Sequence, residues 1–87
     1  RLPHMGWNNI SPIGECDLLK GFNNSSRFYF LHSYYFICNT EEDIISKTEY
    51  GINYASGVKN KNIYGIQFHP EKSHMNGVQL LNNFANL

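Results

Sequence analysis

Gln67-Phe68-His69-Pro70-Glu71-Lys72-Ser73 is the stretch on which the reading of this chain turns. It is entered through Asn62-Ile63-Tyr64-Gly65-Ile66, and Tyr64, Ile66 and Phe68 are apolar at alternate positions. That period suits a pleated strand with one face in a core. Pro70 has no backbone N–H to give to a ladder and biases the residue before it towards an extended conformation. His69 is therefore expected as the last extended residue. If the chain stays extended across Pro70, His69 and Glu71 leave the backbone on the same side. A carboxylate there can accept a hydrogen bond from one ring nitrogen and leave the other facing outward as a base, in a defined tautomer. That makes two members of a nucleophilic triad, with the third to come from elsewhere. The alternative is a strand-end histidine beside a surface glutamate, since structural pairs perturb pKa values too.

Working outward, Ser73 is placed to cap a helix over His74 to Ala85. Met75, Val78, Leu81 and Phe84 recur at helical spacing and are expected to face the core. Gly77 costs that helix about 1 kcal/mol relative to alanine. On the other side, Lys59-Asn60-Lys61-Asn62 is a polar turn that joins the histidine strand to a strand read over Glu49 to Val58, as a hairpin. Ile44 to Lys47 is ambiguous, and Glu41-Glu42-Asp43 reads as an acidic solvated loop. Arg27 to Cys38 is dense in aromatic and β-branched residues, which suits a strand. Its unbroken hydrophobicity suits one covered on both faces. His32 and Ser33 interrupt it and are either satisfied core groups or site residues. Asp17 to Gly21 reads as one or two helical turns, and Leu2 to Asn9 as a short irregular or extended piece bracketed by Pro3 and Gly6. Trp7 in that piece is a core anchor or a partner contact.

The 87 residues suffice for one small domain, which buries only about 60–65% of its unfolded surface. Hydrophobic residues are 41% and charged residues 16%, a globular balance. Seven basic and seven acidic side chains cancel, leaving no electrostatic footprint for nucleic acid or an anionic membrane surface. No apolar run is long enough to span a bilayer. The two cysteines, Cys16 and Cys38, form no C-x-x-C and read as free thiols in a cytoplasmic setting. The first residue is Arg1, so the chain is expected to begin inside a longer protein.

Three separated segments agree with one family. Pro3-His4-Met5-Gly6-Trp7-Asn8, Tyr29-Phe30-Leu31-His32-Ser33-Tyr34-Tyr35 and Gln67 to Ser73 resemble the glutaminase subunits of imidazole glycerol phosphate synthases, within the class I glutamine amidotransferases. Tyr50-Gly51 and Leu80-Leu81-Asn82-Asn83-Phe84 fit as well, so the resemblance covers essentially the whole chain. It implies an α/β fold: the carboxyl-terminal part of a three-layer sandwich, mainly parallel in its sheet, with an added hairpin and a final helix. It implies a cysteine nucleophile on a Gly-x-Cys-x-Gly turn that attacks the side-chain amide of glutamine. By the same resemblance His69 is base and then acid, and Glu71 orients it. Ser33 and Tyr34 help hold the substrate glutamine. Trp7, Asn8, Tyr29 and Lys72 lie towards a barrel-shaped cyclase subunit that receives the ammonia. No cofactor and no metal are implied.

One departure stands out. Gly14-Glu15-Cys16-Asp17-Leu18 begins like the nucleophile motif but lacks its second glycine and follows the Gly-Trp-Asn segment instead of preceding it. Cys16 is read as a decoy, Cys38 has no glycine turn, and the nucleophile is expected upstream of this chain. Three other readings compete: a related amidotransferase serving surface-polysaccharide amino-sugar synthesis, a zinc deaminase on His69-Pro70-Glu71, and a noncatalytic binding module. The zinc reading lacks its P-C-x-x-C half.

Overall fold

A computed structural model describes residues 4–32 and 40–87, the side chains of His4 and His32 excepted. The first strand, β1 (His4–Asn9), pairs antiparallel with β3 (Arg27–His32), Gly6 opposite Phe30 and Trp7 opposite Tyr29. The opening segment is thus a regular strand. Among the described side chains of β3 only Phe28 and Phe30 are fully buried, while Leu31 is 41% exposed. The described part of β3 therefore alternates, with one face in the core, and is not covered on both faces as its unbroken hydrophobicity suggested.

The second sheet runs β2 (Ser11–Pro12), β4 (Ile44–Tyr50), β5 (Ile52–Asn60), β6 (Ile63–Ile66) in that order. Pro12 sits on its edge, where a missing N–H costs nothing. The segment read as a single strand over Glu49 to Val58 is divided by Gly51, whose φ of 77° lets the chain reverse there. A period of two continues on both sides of that turn, which is why it does not interrupt the pattern. The ambiguous Ile44 to Lys47 belongs to β4, and a bulge at Ile45 and Ser46 lets three successive residues, Ile44 to Ser46, be buried. The expected hairpin forms between β5 and β6. Every pairing among the described residues is antiparallel. Gly51 alone and Lys61-Asn62 join β4, β5 and β6, and such short turns allow no parallel neighbours. The strands and final helix form the expected α/β arrangement, and its parallel part is not among them.

Between the sheets lies a core of Ile10, Leu18, Leu19, Phe28, Phe30, Ile45, Tyr54, Phe68 and Leu80. Phe68 is at its centre, with ring centroids 4.4 Å from Phe28 and 5.7 Å from Phe30. Burial pushes the Tyr54 hydroxyl far above its ordinary pKa.

The helix α1 (His74–Ala85) departs from expectation. Met75, Val78, Leu81 and Phe84 are each more than half exposed, and Gly77 and Leu80 face inward. Side-chain amides on that inward side hold the helix. Asn76 donates to the Arg27 carbonyl, Gln79 to that of Lys20, and Asn83 to those of Leu18 and Lys20, all at 2.9 to 3.0 Å. The helix thus rests on the 3₁₀ turns Asp17–Leu19 and Pro70–Lys72, with its apolar stripe left more than half exposed.

Candidate active site

The histidine strand changes sheets within three residues. Gln67 N–H donates to the Ser56 carbonyl of β5 at 2.9 Å. Phe68 then bridges Phe30 of β3, and His69 N–H donates to the Tyr29 carbonyl at 2.9 Å. His69 is extended, with φ −107° and ψ 101°, as Pro70 requires. Beyond it the chain does not stay extended. Pro70–Lys72 forms a 3₁₀ turn, and this turn carries the Glu71 carboxylate back to the ring.

His69 Nδ1 lies 2.8 Å from Glu71 Oε2. The bond from His69, and then one from its own backbone N–H, hold the Glu71 carboxyl below the usual carboxylate range. The imidazole is about one-third exposed, so an incoming sulfur can reach it. Its Nε2 is not turned freely outward but sits 3.3 Å from the Leu31 carbonyl. A carbonyl only accepts, so this bond needs a proton on Nε2. With Nδ1–H donated to Glu71, both bonds together belong to the imidazolium form. At 3.3 Å the Leu31 contact is long, and a thiolate arriving on that side would compete for the same proton.

Ser73 stands at the start of α1, yet its hydroxyl makes no cap bond. Its Oγ donates to the His69 carbonyl at 2.6 Å and accepts from Tyr29 N–H at 2.9 Å. Gly77 faces inward, where a β-carbon would overlap the Pro70 carbonyl oxygen. The helix glycine is thus a point of close approach to the turn that carries Glu71.

The other expected site residues are dispersed. Trp7 is 39% exposed on β1, and its ring meets Tyr29 edge-on at 5.9 Å. On its other contact it stacks on His74, centroids 5.3 Å apart, a partner the sequence did not reveal. His74 has φ 53°, unusual for a non-glycine residue, and nothing in its neighbours signals the stack. Asn8 donates its amide to the Glu49 carbonyl at 2.8 Å and so ties β1 to β4. Lys72 is exposed on the turn beside Glu71. Ser33, Tyr34 and Cys38 lie outside the described residues. Cys16 is half-buried against the core, in a hollow lined by Gly14, Glu15 and Phe22 that His69 does not border. Among the described residues no three His, Cys, Asp or Glu side chains stand where they could hold a metal ion.

A family model for glutamine amidotransferase class-I matches residues 1–87. An imidazole glycerol phosphate synthase subunit HisH of Bdellovibrio bacteriovorus is 46% identical over 98% of this chain and 42% of its own length. A second, HisH 2 of Pseudomonas aeruginosa, is 48% identical over 100% and 43%. HisH of Leptospira borgpetersenii is 50% identical over 99% and 42%. The chain spans less than half the length of these curated relatives.

Proposed function

The chain belongs to the class-I glutamine amidotransferase family, and on that premise we propose that it is the carboxyl-terminal portion of one glutaminase domain. The whole protein hydrolyses glutamine to glutamate and ammonia. The ammonia passes to a cyclase subunit of β/α-barrel form that makes imidazole glycerol phosphate, in cytoplasmic histidine biosynthesis. The names and identities of the relatives support this choice of pathway. Among the described residues no helix is long and apolar enough to cross a membrane.

The observation that carries the reading is the 2.8 Å bond between His69 Nδ1 and Glu71 Oε2, at a strand end where the ring stays accessible. Glu71 holds the tautomer and faces the positive charge that forms on the ring. His69 takes the thiol proton of a cysteine supplied by the part of the domain this chain does not span. The thiolate attacks the amide carbon, and His69 returns the proton to the departing ammonia. Water, deprotonated by the same ring, then releases glutamate from the thioester. Ser33 and Tyr34 hold the substrate, and Trp7, Tyr29 and Lys72 form the partner face. Asn8 belongs to that face through its backbone position, since its amide already serves Glu49.

Glutamate release by the full-length protein tests the assignment. His69→Asn is expected to lower turnover about 10²- to 10⁴-fold, the ordinary worth of a positioned base. Wild-type turnover in that variant would remove His69 from the chemistry.

A further inference from the structure

We propose that Ser73 is a positioning residue for His69: its buried hydroxyl ties the His69 carbonyl to the β3 backbone and so sets where the imidazole stands. The inference rests on the reading of His69 as the base. Tyr29 presents both of its backbone groups to the histidine segment. Its carbonyl takes the His69 N–H, and its N–H needs an acceptor beyond the point where Pro70 turns the chain away. Ser73 Oγ is that acceptor, at 2.9 Å, and the same oxygen donates to the His69 carbonyl at 2.6 Å. A hydroxyl has one proton and two lone pairs, so it can do both at once. The side chain is 1% exposed, and no water is needed to complete the set.

These bonds clamp His69 from both sides of its own backbone. The His69 carbonyl also accepts from Lys72 N–H at 3.0 Å, which closes the turn that brings Glu71 to the ring. Loss of the Ser73 hydroxyl would free the strand from the turn at the residue that carries the imidazole. Alignment of a base tolerates little error, and a displacement of about 1 Å can cost about 10²-fold in rate.

The test uses the full-length protein and glutamine hydrolysis. Ser73→Ala is expected to lower kcat about 10- to 100-fold and to leave KM within about threefold, since the hydroxyl orients the base and does not bind glutamine. Ser73→Cys fills the same space with a weaker hydrogen-bonding group; it is expected to lower kcat likewise, and it serves where alanine does not fold. In a His69→Asn background the Ser73→Ala change is expected to add no further loss, because its effect passes through the ring. Wild-type kcat in both Ser73 variants would overturn the inference while leaving the base assignment intact. A full further loss in the His69→Asn background would also overturn it, as the mark of a general structural role. Wild-type turnover in His69→Asn alone would end the base assignment, and this inference with it.

Discussion

Glu71 keeps its charge at lower pH than an ordinary carboxylate because the His69 ring donates to it. Its contribution to the folded state is therefore complete above the ordinary value of 4.5 and is lost as pH falls through the lowered folded value. A carbon-detected NMR titration of the Glu71 carboxyl should give a midpoint below 4.5, and His69→Asn should return it towards that value. Glu71→Gln should lower glutamine turnover about 10²-fold or more, since an amide can present its own N–H to Nδ1 and favour the wrong tautomer. His69 and Glu71 were legible because a proline follows the histidine and fixes where the strand stops. Their meeting was foreseen, but by an extended chain, whereas the 3₁₀ turn achieves it. Ser73 was misread for a plain reason. A serine before a helix is most simply a cap, and Tyr29, which donates to it, stands 44 residues away, beyond the reach of local pattern.

The final helix shows what amphipathic spacing cannot say. Met75, Val78, Leu81 and Phe84 do form one stripe, but period alone does not state which neighbour that stripe meets. The described chain is gripped by the amide side instead, through Asn76, Gln79 and Asn83. Asn83→Ala removes two bonds to the Leu18 and Lys20 carbonyls and should destabilise the full-length protein by about 1–2 kcal/mol in a denaturant titration. Gly77→Ala sets two effects against each other. Alanine favours the helix by about 1 kcal/mol, whereas its methyl meets the backbone oxygen of Pro70, which cannot rotate aside. Overpacking costs about 1–3 kcal/mol, so a net loss of stability is expected, and a rise in the denaturation midpoint would count against the close approach. The hairpin at Gly51 was hidden for the opposite reason: the apolar alternation passes through the turn without a break, and only the φ of 77° reveals it.

At the scale of the molecule, a radius of gyration of 12.0 Å is about what a compact chain of 87 residues should have. The exposed stripe of α1 is therefore not the result of an open fold. Together with Pro70, Leu18, Tyr64 and Ile66, the Leu81 and Phe84 side chains line an apolar hollow of about 150 Å³ at the surface. A polypeptide of these 87 residues alone is expected to self-associate in sedimentation at micromolar concentration, because an apolar stripe of this length is costly to hydrate. It is also expected to release no glutamate from glutamine, since neither of its cysteines stands on a Gly-x-Cys-x-Gly turn. Measurable release would show that a thiol within the chain is the nucleophile. The course of Gln67 to His69 has a mechanical consequence. One end of this short span is pinned to β5 and the other to β3, so it works as a crank between the two sheets. The imidazole therefore stands where the seating of the two sheets on each other puts it.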